Sequence, residues 1–353
     1  MSESLHLGAL LGLHAQTSLH PGAGTALGVV DLPIQRERHT HWPMIAGSAL
    51  KGVLRDAYRE RLAALGDAAL DDEPRWDDKL VSATDGGAGT LTKAKREGSK
   101  RKRADSTLKL NVLFGPPTDG ASEFSGALAV TDARLLAFPV RSLKGVFAWA
   151  TCPSALRRLA RDASLTGLSG FPAQLADIPA KQFLCSDDCP CVMKSKDHEV
   201  LVLEELDFSQ GVGNITAVAN WLANHLLPSS PDYAATREQF LSHLVVLTDD
   251  DFTHFVRYST EVTARIALDY DSKTVRDGAL FYQEFLPPES ILYSVVLLNP
   301  TRSLRKTTAE TQALFADWSQ AVNSLAYLQI GGDETTGKGL CAVRLQTSRE
   351  AVQ

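Results

Sequence analysis

No apolar run in the 353-residue chain approaches the ~20 residues of a membrane span, so no transmembrane helix is expected. The opening Met1-Ser-Glu-Ser lacks the basic start of a secretory signal. Cysteine is scarce. Five in so long a chain, an odd number, argue against a disulfide framework and for a reducing compartment. Together these absences point to a cytoplasmic protein. No Gly-x-Ser-x-Gly elbow and no H-E-x-x-H helix occurs, which excludes two common hydrolase designs. No C-x2-C pair of the usual zinc modules is present either.

The chain holds 44% hydrophobic and 22% charged residues, as an ordinary globular protein does, and its length suits one large domain or two modest ones. A net charge of −6 does not advertise a nucleic-acid binder, yet the charge is blocked. Residues 67 to 78 carry Asp67, Asp71, Asp72, Glu73, Asp77 and Asp78, whereas KAKREGSKRKR at 93 to 103 carries seven basic groups against one acid. Phosphate contact depends on such local potential, although a solvated loop accounts for the basic run equally simply. The polar, block-charged stretch 66–108 reads as a long mobile insertion.

Periodicity predicts a buried first strand over Leu5 to His14 and a turn over His20 to Gly28. A helix capped by Ser48 follows, with Leu50, Val53, Leu54, Ala57, Tyr58 and Leu62 at helical spacing. Further helices are expected from about Ser142, over Ser154 to Ala163, 213–227, 235–247, and Thr308 to Ala326. Strands are expected at Leu128 to Phe138, Val200 to Leu206, Val256 to Leu268 and Ile291 to Asn299, with an excursion over 182–197. The chain closes as strand, glycine turn, strand. This mixture favours an α+β fold. Leu50-Lys-Gly-Val53 returns as Leu143-Lys-Gly-Val146, each after a serine, a hint of an internal repeat.

Three motifs carry candidate chemistry. A helix start exposes unpaired amides and attracts phosphate, and Lys51 and Arg55 would share one face beside Ser48. The loop Gly331-Gly332-Asp-Glu-Thr-Thr-Gly337-Lys338-Gly339 could aim amides at an anion or be a tight hairpin; it is neither a Walker loop nor a dinucleotide fingerprint. Cys185, Cys189 and Cys191 with His198 offer four zinc ligands of the right type at an uncommon spacing, the alternative being surface thiols. Asp31 stands apart. It interrupts Val29-Val30-Asp31-Leu32-Pro33, and either caps a turn or serves a metal or a proton near the phosphate-binding helix.

The segments Ser18-Leu-His20-Pro-Gly22-Ala-Gly24 and Leu27-Gly-Val-Val-Asp31-Leu-Pro-Ile-Gln-Arg-Glu-Arg-His39-Thr40 form a pattern with "TDARLLAFPVRSLKGVFAWATCP" (131–153), "GALFYQEFLPPES" (278–290) and "QIGGDETTGKG". In combination they resemble the backbone RAMP subunits of type III-B CRISPR effectors, the fourth subunit of the Cmr complex. The resemblance implies one RAMP domain over 1–353, with a ferredoxin-like, RRM-type core and insertions. It implies copies stacked head to tail along a CRISPR guide RNA, a heterologous contact that makes an open filament. Other Cmr-complex subunits would join them.

By the same resemblance, a projecting thumb interrupts guide–target pairing at intervals, and complementary target RNA is cut there with a divalent metal, Mg²⁺ or Mn²⁺. The excursion at 182–197 is a candidate thumb. Asp31 matches the residue essential to cutting and is the expected metal contact; His20 and Glu261 are further catalytic candidates. A 2′-OH attack needs in-line geometry and charge neutralisation, which one carboxylate and a cation could serve. Ser48, Lys51, Arg55, Gly331, Gly332, Gly337, Lys338 and Gly339 would hold guide RNA by its backbone. The rival expectations are a non-catalytic filament protein that coats guide RNA, and a stand-alone RNA-binding protein.

Overall fold

The computed structural model describes residues 7–25, 28–64, 109–116, 124–172, 178–194, 199–276, 278–300 and 308–348. The acidic block, the basic run and the rest of the expected 66–108 insertion lie outside the described residues, as does His198. The chain forms two compact units: Met1–Leu54, Val130–Leu297 and Val322–Gln353 make the first, Arg55–Ala129 and Leu298–Ala321 the second.

The elements run β1 (Leu7–Ala15), β2 (Met44–Ile45), α1 (Gly47–Ala64), α2 (Lys109–Phe114), β3 (Leu128–Val130), β4 (Ala133–Arg141), β5 (Phe147–Thr151) and α3 (Pro153–Leu165). Next come β6 (Gln182–Cys185), β7 (Val192–Lys194), β8 (Glu199–Leu203), β9 (Leu206–Asn214), α4 (Thr216–Leu226), α5 (Ala234–His243) and β10 (Leu244–Val246). The last are α6 (Asp249–Tyr258), β11 (Glu261–Arg265), β12 (Phe281–Phe285), β13 (Ile291–Leu298), α7 (Thr308–Asn323), β14 (Leu328–Gln329) and β15 (Leu340–Thr347).

A large mixed sheet has the order β14-β15-β1-β13-β4-β5-β10-β6-β9-β8-β7, with β2 added on β4. Most neighbours are antiparallel, but β10 is parallel to β5 and β6 to β9. β1 lies inside this sheet and every one of its residues is buried, which is why its sequence, LGALLGLHA, does not alternate. It pairs with β15 from Ala9 opposite Thr347 to Ala15 opposite Cys341. Leu156 and Leu159 of α3, Leu222 and Leu226 of α4, Phe240 of α5 and Trp149 of β5 build one core with Leu10. Contact between α4 and β1 is so close that a Cβ on Gly12 would stand 2.1 Å from the Leu226 carbonyl oxygen. A second β sheet, β11 with β12, stands apart from the large one.

The second unit has its own aromatic centre. Phe114 stacks edge-on to Trp318, with ring centroids 6.1 Å apart, and Tyr58 and Phe315 flank the pair. Arg55 donates to the Gly115 carbonyl (2.7 Å) and to Asn111 Oδ1 (3.1 Å), so its guanidinium fastens the end of α2.

Four expectations need correction. Residues from Ser142 form no helix: Ser142 N–H donates to the Val146 carbonyl (2.9 Å), and the chain turns back at Gly145 and Val146, both at positive φ, into β5. Leu143 and Val146, the apolar positions that suggested a helical face, are 71% and 78% exposed. The Leu-Lys-Gly-Val echo therefore pairs a helix start with a hairpin turn and is no structural repeat. Val256 belongs to α6, where three acids follow the Thr248 cap and Phe252, Phe255 and Val256 make the buried face; the strand is confined to Glu261–Arg265. The 182–197 excursion supplies β6 and β7 to the large sheet, so its described part does not project as a thumb. Glu204 and Glu205, expected on a strand, make the turn between β8 and β9.

Gly12→Ala should destabilise the protein by about 1–3 kcal/mol through overpacking against the α4 carbonyl. A lower denaturant midpoint with an unchanged slope would register it; an unaltered midpoint would show that β1 and α4 separate freely.

Candidate functional site

The conspicuous residues of the first unit converge on one strand, β12. On one side it pairs with β11, Glu261 opposite Phe285 and Arg265 opposite Phe281. On the other it receives the segment that carries Asp31. The amides of Asp31 and Leu32 both donate to the Tyr282 carbonyl (3.1 and 3.0 Å), Glu284 N–H donates to the Leu32 carbonyl (3.0 Å), and Leu32 bridges Gln283 in parallel.

Asp31 is half-buried at the surface. Its Oδ2 accepts the Tyr282 amide at 2.7 Å, and Oδ1 has no partner among the described residues. One oxygen is thus used to orient the carboxylate and the other is left outward. The neighbouring apolar residues do not bury it, since Val29 is 92% exposed. Two positions along β12, Glu284 is buried, and its carboxylate accepts from Arg36 Nη2 (2.5 Å), Thr260 Oγ1 (2.8 Å) and the Ile34 amide (3.0 Å). Arg36 also donates to the carbonyls of His41 and Val256. Residues 31–36 are thereby fixed at both ends against β12.

At the far end of β12, Phe285 is buried beneath a ring of charge. Lys338 Nζ lies 5.2 Å and the Arg265 guanidinium 5.6 Å from its ring centroid, within cation–π range. Ser18 Oγ donates to Glu261 (2.7 Å) and accepts from Lys338 Nζ (3.3 Å); Asp333 accepts from Gln283 (2.5 Å) and pairs with Arg265 (3.7 Å). His20 is buried with its ring 5.5 Å from that of Phe285. Its Nδ1 sits 2.7 Å from the Glu284 carbonyl, which can only accept, so Nδ1 carries the proton and Nε2 the lone pair.

The glycine loop closes this cluster. Gly332 N–H donates to the His20 carbonyl (3.0 Å) and Gly339 N–H to that of Ser18 (2.9 Å), while the amides of Gly337 and Lys338 turn inward to Glu334 and Asp333. A Cβ on Gly331, at φ 83°, would stand 2.3 Å from the His20 carbonyl oxygen, which is why glycine is required. These amides serve the hairpin reading; they are not aimed at a ligand.

The start of α1 differs from expectation too. Ser48 is exposed inside the first turn and is no cap: Asp132 Oδ1 accepts the Gly47 amide (2.7 Å) and Gln35 Oε1 the Ala46 amide (2.9 Å). A carboxylate already occupies part of this positive pole. Lys51 is half-buried on α1, and Gly52 has open space beside it. Arg55 is engaged with Gly115 and Asn111, so it serves the fold, not an open phosphate cradle. Cys185, Cys189 and Cys191 are buried, so surface thiols are excluded, and no three His, Cys, Asp or Glu side chains among the described residues are placed to hold a metal ion.

Sequence reasoning missed the element that projects. Between β11 and β12, residues 266–280 form an extended loop whose tip is an Asp269 turn accepting the Ser272 amide (2.9 Å), with Lys273 over Tyr270 (4.2 Å). Ile266, Leu268, Tyr270, Leu280 and Tyr282 are all exposed, Tyr270 by 80%. The signal was there: alternating apolar residues on both sides of Asp269-Tyr-Asp-Ser-Lys273 read as a hairpin without a buried face.

The model of the RAMP superfamily matches residues 13–342. The chain is 34% identical over 339 residues, 96% of its length and 95% of the other's, to the CRISPR system Cmr endoribonuclease Cmr4 of Pyrococcus furiosus. It is 23% identical to the CRISPR system CMR subunit Cmr4 of Saccharolobus solfataricus, covering 94% of each chain. The crystal structure of oligomeric Cmr4 from Pyrococcus furiosus superposes with a TM-score of 0.64 at 28% identity, covering 98% of this chain and 99% of that one.

Replacing Glu284 by Ala should cost about 3–5 kcal/mol, because Arg36 is left buried without its acid. Hydrogen exchange at the Ile34 amide should quicken in parallel. Protection equal to the parent's would show that segment 31–36 is held by something else.

Proposed function

The chain belongs to the RAMP superfamily, and from that premise we propose that it is the guide-RNA-binding backbone subunit of a type III-B CRISPR effector and cuts the target RNA paired with the guide. Near-full-length likeness to a Cmr endoribonuclease supports this reading. So does the order β15-β1-β13-β4, with α1 between its first and second strands in sequence and α7 between its third and fourth, the arrangement of a ferredoxin-like core. Copies stack head to tail on the guide in the cytoplasm, alongside other Cmr subunits, as the solved oligomer of a relative supports.

The observation that carries the cleavage role is Asp31: an accessible carboxylate with one oxygen fixed by the Tyr282 amide and the other unpaired. Held this way, Oδ1 can orient or deprotonate a ribose 2′-OH in line with the adjacent phosphorus, whose bond to the leaving 5′ oxygen then breaks. Asp31 offers one ligand atom, which fits a divalent cation held otherwise by phosphate and water; such a cation supplies charge neutralisation at the phosphate. His20 and Glu261 act behind it as positioning residues, since His20 is buried against Glu284 and Glu261 is tied to Ser18. The hairpin at 261–285 takes the thumb's place, its exposed Leu268 and Tyr270 suited to lie against bases. Lys51 contributes charge to guide binding.

In a complex assembled on guide RNA, Asp31→Asn should slow target cutting by about 10²–10⁴-fold while guide and target binding stay unchanged. Chelating divalent cations should silence the parent to the same degree. Equal cleavage by variant and parent would remove Asp31 from the chemistry and leave a filament that only coats guide RNA.

A further inference from the structure

Three thiols meet in the first unit, away from β12. Cys185 ends β6, Cys189 follows a turn in which its amide donates to the Ser186 carbonyl (3.2 Å), and Cys191 opens the way to β7. All three are free and buried, Cys189 retaining 8% exposure. The sulfur of Cys189 is in hydrogen-bond contact with both others. Cys191 has further duties. Its thiol donates to the Phe147 carbonyl (3.4 Å), and its sulfur would lie 2.9 Å from a Cβ on Gly145, so it is wedged against the 142–146 turn. Pro190 stands between Cys189 and Cys191 and stiffens that shorter link. Cys185 has no such competing contact.

We propose that Cys185 and Cys189 form a reversible disulfide when the protein meets a hydroperoxide, with Cys189 as the attacking sulfur and Cys185 as the resolving one. This stands independently of the RNA chemistry. Cys189 as thiolate attacks one peroxide oxygen; the S–O bond forms, the O–O bond breaks, and the departing hydroxide takes a proton to become water. Cys189 is then a sulfenic acid, oxidised by two electrons as the peroxide is reduced. The Cys185 thiol gives up its proton, its sulfur bonds to that of Cys189, and the S–O bond breaks with loss of a second water.

The surroundings suit these roles. Hydrogen bonds from Cys185 and Cys191 pull the Cys189 thiol well below its ordinary range, and the nearby His243 acts in the same direction. Sharing its proton with Cys189, and burial, push the Cys185 thiol up, so the two sulfurs are unequal partners. Burial alone pushes Cys341 up to about 12, a thiol without a neighbour of this kind. A nucleophile with low proton affinity next to a second thiol is the arrangement of peroxide-sensitive pairs.

The test treats the full chain with graded hydrogen peroxide, alkylates remaining thiols after unfolding, and maps the peptide spanning 182–194. The expected result is loss of two thiols and of two hydrogens' mass from that peptide, reversed by dithiothreitol, before Cys152 or Cys341 reacts. Cys191→Ser should retain the bridge, whereas Cys185→Ser and Cys189→Ser should lose it. A Cys189 driven to sulfinic acid without a bridge, a cluster still reduced when Cys152 is oxidised, or a bridge that survives Cys189→Ser would each overturn the assignment.

Discussion

The buried carboxylate of Glu284 governs where Asp31 can be. Side chains at 282 and 284 of an extended strand share a face, and the main chain there is bonded on one side to the Asp31–Leu32 segment. That segment is no strand of the large sheet, and two backbone links alone would let it slide or lift. Glu284 prevents both by accepting the Ile34 amide directly and by drawing Arg36 into a pair that also satisfies the carbonyls of His41 and Val256. A buried pair of this kind adds little net stability over an apolar one. Its value here is register: only one alignment of residues 31–36 leaves neither charge unpaired.

Against that fixed ledge, the chemistry-bearing residues divide into two kinds. Ser18, His20, Glu261, Asp333 and Lys338 satisfy one another around Phe285, and the glycine loop closes over them through the Ser18 and His20 carbonyls. Polar groups so fully paired hold a scaffold rigid, because each broken link would strand a partner away from water. Asp31 is of the other kind: oriented by a backbone amide, yet keeping an oxygen unpaired among the described residues. A rigid supporting layer beneath one free group is what a reaction needs for positioning.

Much of this was legible in the sequence, and the failures have physical causes. Long apolar or strongly periodic elements, β1, α1, α3, α4, β13 and α7, fell where the pattern placed them. The family resemblance, carried by short segments from Ser18 to the terminal glycine loop, agrees with the match over 13–342. What local pattern could not reveal was how residues far apart in the chain would meet. Ser48 looked like a cap because Asp132, 85 residues on, could not be seen to reach Gly47. Arg55 looked like a free cation because Asn111 was invisible as its partner. Leu143 and Val146 mimicked a helical stripe while facing water. The glycine loop was ambiguous for the same reason, as its amides are claimed by Ser18 and His20, more than 300 residues earlier.

The exposed hairpin and the oriented acid share one strand, and this bears on how cutting could be regular. Tyr282 contributes its amide to Asp31, its carbonyl to the incoming segment and its ring to the exposed apolar flank of the hairpin. A base displaced by that flank is therefore displaced at a set offset from the carboxylate, because both references are atoms of β12 and its immediate neighbours. Strand residues advance by about 3.4 Å each, so a shift of one residue in the pairing of β12 with Asp31 would move the acid by roughly the length of a phosphodiester linkage. The Arg36–Glu284 pair forbids that shift. In a filament of identical subunits, the same bond in each copy would keep every acid at the same place relative to its hairpin, and the spacing of cuts would follow from the spacing of subunits.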